Sequence, residues 1–377
     1  MRRTALLVTA IIVMLLALPA GARYLDGTLA LIRQPISTLP VIVKAGDAFR
    51  VAIAPGSPYP QQCRATLYRG EAEYALELTI PDAAVRAQAR VFSAQIRVPK
   101  EVPPGLYGLQ VTLRPGNRMD TAERAVKVVA DWPSTYRFAH ITDVHIGKNT
   151  APFVAGGVMA EGVETEEVFR RTAAEINRLG VDFVLLTGDL TESAQPEQFR
   201  TFLQILDLFT APTFVTPGNH DRGAPLGTNP AYTSPEPGVQ PIGTESIYDR
   251  YCGPATYTFD LGRHRYVSLD TRWEEEFLIN DAFRGWMQSL LARPDPALGV
   301  FFSHRISEVE YPFYQRELPR HNYRLYAFGH THDDEIFWLG DLTVLNTSEE
   351  FMGTYSVVTV SGDRVVSIRH YHKAAVR

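Results

Sequence analysis

The sequence predicts two bodies in series. A small all-β sandwich spans residues 23–132, and an α/β domain, a two-layer sheet core between helices, spans residues 133–377. Three observations carry this. The first third of the chain holds short runs of β-branched and aromatic residues punctuated by Pro and Gly. From Tyr136 onward, apolar runs of strand length alternate with segments of helical spacing, which implies a parallel sheet with right-handed crossovers. After His332 only strand patterns remain. A length of 377 residues fits two domains.

In chain order, residues 1–22 read as a targeting segment. Arg2-Arg3 form a positive start, Ala5–Leu18 an apolar stretch, and Ala20-Gly21-Ala22 a small-x-small cleavage site. The expected location is secreted or periplasmic, and an uncleaved membrane anchor is the alternative. Strands are expected at Val41–Lys44, Arg50–Ala54, Ala65–Tyr68, Tyr74–Ile80, Ala89–Val98, Tyr107–Leu113 and Ala125–Val129. Pro104-Gly105-Leu106-Tyr107 is loosely similar to the turn before a late strand of immunoglobulin-like domains, although the Cys…Trp…Cys pattern is absent. Pro133, in Asp131-Trp132-Pro133-Ser134, breaks any strand running through the boundary.

In the second body, Glu164–Leu179 has helical spacing, acidic residues at its start, Arg178 near its end and Gly180 to close it. Pro196–Phe209 is a second expected helix and Asn280–Ala292 a third. Thr256–Leu261 and Arg265–Leu269 are strands around Gly262-Arg263-His264. Glu335–Leu339, Leu342–Leu345, Tyr355–Val360 and Val365–His370 follow, the last two as a hairpin.

Five motifs stand just past five apolar runs. Asp143-Val144-His145 follows Tyr136–Ile141, Gly188-Asp189 follows Phe183–Leu186, and Gly218-Asn219-His220-Asp221 follows Thr213–Val215. His304 follows Val300–Phe302, and Gly329-His330-Thr331-His332 follows Leu325–Phe328. The carboxyl ends of successive strands are where an α/β sheet builds its site. Carboxylate, imidazole and amide donors suit Mn, Fe or Zn, and relative affinity does not choose among them.

This ordered set, DxH, GD, GNHD, H and GHxH, resembles the calcineurin-like metallophosphoesterase family over roughly Arg137 to His372. The resemblance implies a four-layer α/β/β/α sandwich and two divalent transition-metal ions. One ion would take Asp143, His145, Asp189 and His332, and the other Asp189, Asn219, His304 and His330, with Asp189 as the bridge. It further implies attack on phosphorus by a metal-bridging hydroxide. His220 would serve as general acid or transition-state stabiliser. Asp221 would either hold the tautomer of His220 or hydrogen-bond its own turn. His140 alternates with Ile141 in its strand and is read as a structural histidine, and His264, His321, His370 and His372 as surface or edge residues.

Two departures matter. Purple acid phosphatases of this superfamily carry a tyrosine three residues after the bridging aspartate, where this chain has Glu192, and they lack the histidine that is present here as His145. The Asp-x-His start is similar instead to the branch holding cyclic-nucleotide phosphodiesterases. The expected activity is hydrolysis of phosphodiester bonds in nucleotide or cyclic-nucleotide-like esters. The alternatives are a broad phosphomonoesterase and a non-catalytic surface binding protein.

Composition narrows the partners. A formal net charge of -5 gives no electrostatic footprint for gripping nucleic acid, so a small phosphate ester is the expected partner. The two cysteines, Cys63 and Cys252, fall one in each body, and an inter-domain disulfide or two separate buried thiols are both open. Substrate choice is expected from residues 147–162, 222–244 with Tyr232, and 305–323 with Tyr311, Phe313, Tyr314 and Arg316. Lys148, Arg222 and Arg305 are the candidate phosphate clamps, and Asp270 a supporting charge behind the site.

Overall fold

The computed structural model describes residues 29–148, 153–155, 158–160, 164–222, 247–270, 281–306 and 308–372. The expected targeting segment, half of the rim segment 147–162 and all of 222–244 but Arg222, Tyr232 included, lie outside these residues. No helix among the described residues is long and apolar enough to cross a membrane.

The N-terminal body has eight strands: β1 (Ile32–Gln34), β2 (Val41–Lys44), β3 (Ala48–Ile53), β4 (Gln62–Arg69), β5 (Ala72–Leu76), β6 (Phe92–Arg97), β7 (Gly105–Arg114) and β8 (Arg118–Val129). They form a three-stranded sheet ordered β1-β3-β6 and a five-stranded sheet ordered β2-β8-β7-β4-β5. Alternation along the strands explains the pairing of faces: in β3 Phe49, Val51 and Ile53 are buried, and in β4 Cys63, Ala65 and Leu67. Tyr107 donates its hydroxyl to the carbonyl of Pro103 at 2.8 Å, which pins the turn into β7. Strand β1 and the short helix α1 (Asp82–Ala87) are absent from the sequence reading. Three residues or one and a half turns give too little periodicity to detect.

Beyond residue 132 two sheets face each other. The first, ordered β13-β12-β9-β20-β21, contains β9 (Thr135–Ile141), β12 (Phe183–Thr187), β13 (Thr213–Thr216), β20 (Thr354–Ser361) and β21 (Arg364–His372). Between β9 and β12 stand a small hairpin, β10 (Phe153–Ala155) with β11 (Val158–Ala160), and then helix α2 (Thr165–Leu179). The second sheet, ordered β14-β15-β16-β17-β19-β18, contains β14 (Tyr257–Leu261), β15 (His264–Ser268), β16 (Leu298–Phe302), β17 (Tyr323–Phe328), β18 (Glu335–Leu339) and β19 (Leu342–Asn346). Strands β9, β12 and β13 run parallel, as do β15, β16, β17 and β19; β20 and β21 in the first sheet and the edge strands β14 and β18 in the second pair antiparallel.

The layers follow from which faces are apolar. Phe138, Phe183, Leu185, Phe214, Tyr266, Val300, Phe302 and Leu325 meet between the sheets. Opposite faces of the first sheet, with Ile141, Val184, Leu186 and Val215, are covered by α2 and α3 (Pro196–Leu206). Helix α2 buries Val168, Phe169, Thr172, Ala173 and Ile176, one stripe at 3.6-residue spacing, and ends at Gly180 with φ 62°. The short helix α4 (Ile247–Cys252) buries Tyr248 and Tyr251. The second sheet is covered by α5 (Asp281–Leu291) and α6 (Tyr311–Glu317). This is the expected α/β/β/α order.

Two segments differ from expectation. Residues 311–317 are not rim loop: Tyr311, Tyr314 and Leu318 share a helical face that packs on Phe301 and Tyr326 of the second sheet. Helix α3 ends at Leu206 instead of Phe209, and Arg124 of β8 reaches across to bond the carbonyls of Leu206 at 2.8 Å and Ala211 at 2.6 Å. The N-terminal body also lines the free edge of β13. Val215 N donates to Thr38 O at 3.1 Å and Thr213 Oγ1 to Ser37 O at 2.8 Å. That edge, one turn ahead of Gly218, is thereby paired. Cys63 and Cys252 are separate buried thiols, not a disulfide; burial pushes the Cys63 thiol up to about 12.

Candidate metal centre

All five motifs leave the site-facing ends of β9, β12, β13, β16 and β17. Register explains the convergence: β9, β12 and β13 are parallel neighbours, with Leu186 level with Ile141 and Val215, so Asp143, Asp189 and the Gly218 loop emerge at one height. His304 and His330 arrive from the facing sheet, where Phe302 is level with Ala327.

The backbone at this end is strained. Asp143, His145, Asp189, His330 and His332 have φ of 56°, 50°, 45°, 73° and 60°, a left-handed region that costs an L-residue roughly 1–2 kcal/mol. Such residues persist where their surroundings over-determine them. Here Gly188 and Gly218 permit the approach: a Cβ on Gly188 would lie 2.5 Å from His304 Cβ, and one on Gly218 would lie 2.1 Å from Asp189 Oδ1. Asp189 O accepts His145 N at 2.8 Å, and Asp143 Oδ2 accepts His330 N at 2.9 Å.

The side chains then meet. His145 Nε2 is 3.7 Å from Asp143 Oδ1 and 3.6 Å from Asp189 Oδ2. His332 Nε2 is 3.3 Å from Asp143 Oδ1. His304 Nε2 is 3.2 Å from Asp189 Oδ2 and 3.1 Å from His330 Nδ1. Asp143/His145/His332, His145/Asp189/His220 and Asp189/His304/His330 each bring ligand atoms within 4.8 Å of one another. Asn219 stands exposed beside this group, one residue before His220.

Three imidazoles are tied at Nδ1 by oxygen acceptors and turn Nε2 to the carboxylates. His145 Nδ1 meets Glu192 Oε2 at 2.6 Å, His304 Nδ1 donates to Thr187 O at 2.8 Å, and His220 Nδ1 donates to Glu192 O at 2.6 Å. A carbonyl only accepts, so His220 and His304 each carry a proton on Nδ1. His220 N also donates to Asp189 Oδ1 at 2.9 Å, leaving its Nε2 4.0 Å from Asp189 Oδ2.

Electrostatics follow. Burial opposes the charge on Asp143, but His304, His145 and His332 outweigh it and hold the carboxyl well below its usual range. Burial likewise opposes the charge on Asp189, and the same kind of partners pull it to about 2. Burial also opposes charging His145 and His304, and the surrounding carboxylates win, raising them to about 9 and about 10. Burial and the charge of His304 depress His330 to about 4.

The donor set fits two cations on one further observation. Asp143 Oδ1 and His145 Nε2 are buried and have no hydrogen-bond partner, although buried polar atoms are nearly always satisfied. Both point into the cluster, as ligand atoms awaiting a cation do.

The remaining predicted residues fall as follows. Asp221 does not reach the His220 ring: it is fully buried and accepts Leu190 N at 3.1 Å, Thr191 N at 2.9 Å and Gly218 N at 2.8 Å. It therefore staples the GD loop to its own turn, and the group that fixes the His220 tautomer is the carbonyl of Glu192. Asp270 binds Arg222, whose side chain is buried. Lys148 Nζ lies 4.2 Å over the Phe351 ring, which packs at 5.4 Å against both His145 and His332. His140 is the satisfied core histidine expected, bonded to Thr347 and Thr187. His264 is not a surface residue: it is buried between Tyr136 at 2.7 Å and Asp363 at 3.1 Å.

Sequence reasoning missed Glu192 as a support and Phe351 altogether. Glu192 carried a signal, its position three residues after Asp189. Phe351 carried none.

An α/β/β/α sandwich with paired carboxylates and imidazoles at its strand ends defines a metal-dependent hydrolase class. Residues 136–334, more than half of the chain, match the model of the calcineurin-like phosphoesterase family, and the chain belongs to that family.

Among curated relatives, it is 31% identical over 87 residues to a 3',5'-cyclic adenosine monophosphate phosphodiesterase of Haemophilus influenzae, 22% of this chain and 30% of that protein. It is 29% identical over 85 residues to a 3',5'-cyclic-nucleotide phosphodiesterase of Nostoc sp., again 22% of this chain and 30% of the relative. The matches thus span only about 30% of those relatives' length. Among solved structures, a purple acid phosphatase from yellow lupin (Lupinus luteus) seeds is similar at TM-score 0.48 and 12% identity, covering 86% of this chain and 70% of that one. A dimetal phosphatase from Danio rerio is similar at TM-score 0.44 and 12% identity, covering 63% and 99%.

Proposed function

We propose that the protein is an exported phosphodiesterase that hydrolyses small nucleotide or cyclic-nucleotide-like esters at a centre of two divalent cations. The observation that carries this reading is the set of imidazoles tied at Nδ1 with Nε2 turned onto Asp143 and Asp189. Export rests on Arg2-Arg3, the apolar Ala5–Leu18 and Ala20-Gly21-Ala22. The diester preference rests on the Asp143-x-His145 start and on the cyclic-nucleotide phosphodiesterases among the relatives.

Asp143, His145, Asp189 and His332 would hold one cation, and Asp189, Asn219, His304 and His330 the other. Two such ions neutralise phosphate charge and activate water as a nucleophile near neutral pH. The chain does the rest. Glu192 and Thr187 hold Nδ1 of His145 and His304, so that Nε2 is the nitrogen that releases its proton to a cation. His220 would give the departing ester oxygen a proton from its Nε2. The neutral ring that remains keeps its proton on Nδ1, the form that the carbonyl of Glu192 accepts.

The test is parallel hydrolysis of bis-p-nitrophenyl phosphate, p-nitrophenyl phosphate and a 3',5'-cyclic nucleotide by Mn-loaded protein. Faster turnover of the two diesters is expected. Turnover confined to the monoester would replace the phosphodiesterase reading with a phosphomonoesterase.

A further inference from the structure

His370 and His372 alternate on β21, so both imidazoles project from one face of this edge strand. They close on one carboxylate. His370 Nδ1 is 3.0 Å from Asp334 Oδ1, and His372 Nε2 is 3.2 Å from Asp334 Oδ2. Asp334 lies two residues after His332 and immediately before β18, the edge strand of the other sheet. The contact therefore joins the two sheets along their open side, at the end where the metal motifs emerge.

Asp334 also grips the loop that carries His332. Its Oδ1 accepts Ser348 N at 2.9 Å, and Ser348 Oγ, shared with Glu349, lies 3.0 Å from His332 O. Asn346 Nδ2 donates to Thr331 Oγ1 at 2.5 Å. Both His330 and His332 sit at positive φ, 73° and 60°, so the loop needs holding from outside.

The grip continues inward as a buried polar row. His370 Nδ1 is 2.9 Å from Ser356 Oγ, Ser356 Oγ is 2.7 Å from Thr347 Oγ1, and Thr347 Oγ1 is 2.7 Å from His140 Nδ1. His140 Nε2 then meets Thr187 Oγ1 at 2.8 Å. The carbonyl of that threonine receives His304 Nδ1 and Thr142 Oγ1, both at 2.8 Å. Ser356, Thr347, His140 and Thr187 are all fully buried, where a satisfied network rigidifies and a half-satisfied one is costly.

We infer that Asp334, clasped by His370 and His372, is a positioning residue that sets His332 and with it the first cation site. This rests on the two-cation reading above. Removing the clasp frees the loop, and loss of a partner that orients a ligand typically weakens metal binding by about 10- to 100-fold.

The experiment is a Mn titration of full-length wild type, His372→Ala, His370→Ala/His372→Ala and His370→Asn, followed by electron paramagnetic resonance, steady-state kinetics and thermal melting. His372→Ala changes an exposed side chain and keeps the fold intact even if the double variant melts early. The expected result is weaker first-site binding by about 10-fold in the single and up to about 100-fold in the double variant. At limiting Mn the variants show an isolated Mn signal where wild type shows a coupled pair. The kcat falls with first-site occupancy and recovers at high Mn, KM holds, and His370→Asn, which retains a side-chain donor, rescues. Wild-type binding of two Mn with His372→Ala and the double variant unchanged in affinity and spectrum overturns the clasp alone. A wild type that binds no Mn removes the two-cation reading and the clasp with it.

Discussion

Oε2 of Glu192 lies 2.6 Å from Nδ1 of His145. Carboxylate–imidazole pairs of this kind fix the tautomer of a ligand histidine and raise its basicity. We expect Glu192→Ala to lower first-site cation affinity by about 10- to 100-fold, and Glu192→Gln, whose amide oxygen still accepts, to lower it less. Calorimetric titration with Mn checks both. The His220 support comes from the backbone carbonyl of the same residue, so the KM of the cation-saturated variants should stay near wild type.

Gly218 packs where no side chain fits. A Cβ there would meet Asp189 Oδ1 at 2.1 Å and Asp189 N at 2.3 Å, so relief requires the Asp189 backbone to move. Gly218→Ala is expected to cost about 1–3 kcal/mol of stability and, with Asp189 in both cation sites as proposed above, to lose cations from both. Thermal melting together with metal analysis would show this; normal stoichiometry would mean the loops are looser than their packing indicates.

Glu310 gives a pH dependence away from the centre. It is buried, its Oε1 has no partner, its Oε2 accepts Tyr314 Oη at 2.8 Å, and burial pushes its carboxyl up to about 8 despite that bond. The raised folded value means the native state holds a proton that the unfolded chain releases above its ordinary value of about 4.3. Stability therefore falls as pH rises from about 4.3 to about 8. Glu310→Gln removes this slope. It should match wild type near pH 4 and exceed it at pH 8 by up to a few kcal/mol, as read by urea denaturation at the two pH values.

Lys148 rests on Phe351 beside His145 and His332, and we propose that it meets a non-bridging phosphate oxygen. A hydrogen bond to a charged group contributes about 1.5 kcal/mol, roughly tenfold in affinity. Lys148→Met is expected to raise KM by about that factor with metal content unchanged. An unaltered KM would make the lysine only a cover for the ring.

The legible part of this molecule was the part where one strand predicts its own end. Apolar runs before Asp143, Asp189 and Gly218 placed those residues at the tops of β9, β12 and β13, because burial on both faces of a parallel sheet leaves its mark in local sequence. What escaped was anything fixed by a distant partner. Helix α3 stops at Leu206, whose carbonyl accepts from Arg124, 82 residues away. His264 is buried by Tyr136, 128 residues away. Aromatic residues at 311–317 read equally as rim or core until α6 is seen packed on the second sheet. Of the two readings open for Asp221, the backbone one holds through Gly218 N of its own turn, while the donors Leu190 N and Thr191 N of the neighbouring loop were not legible.

The central claim is that Asp189 unites two cation sites in one catalytic centre. Metal content and diester turnover should be measured on reconstituted wild type and on Asp189→Asn side by side. Two cations per chain are expected in wild type. In the variant one or none is expected, with turnover lower by about 100-fold or more, equivalent to at least about 2.7 kcal/mol of transition-state stabilisation. An Asp189→Asn protein that kept both cations and full turnover would contradict the claim, as would a wild type that took up no metal at all.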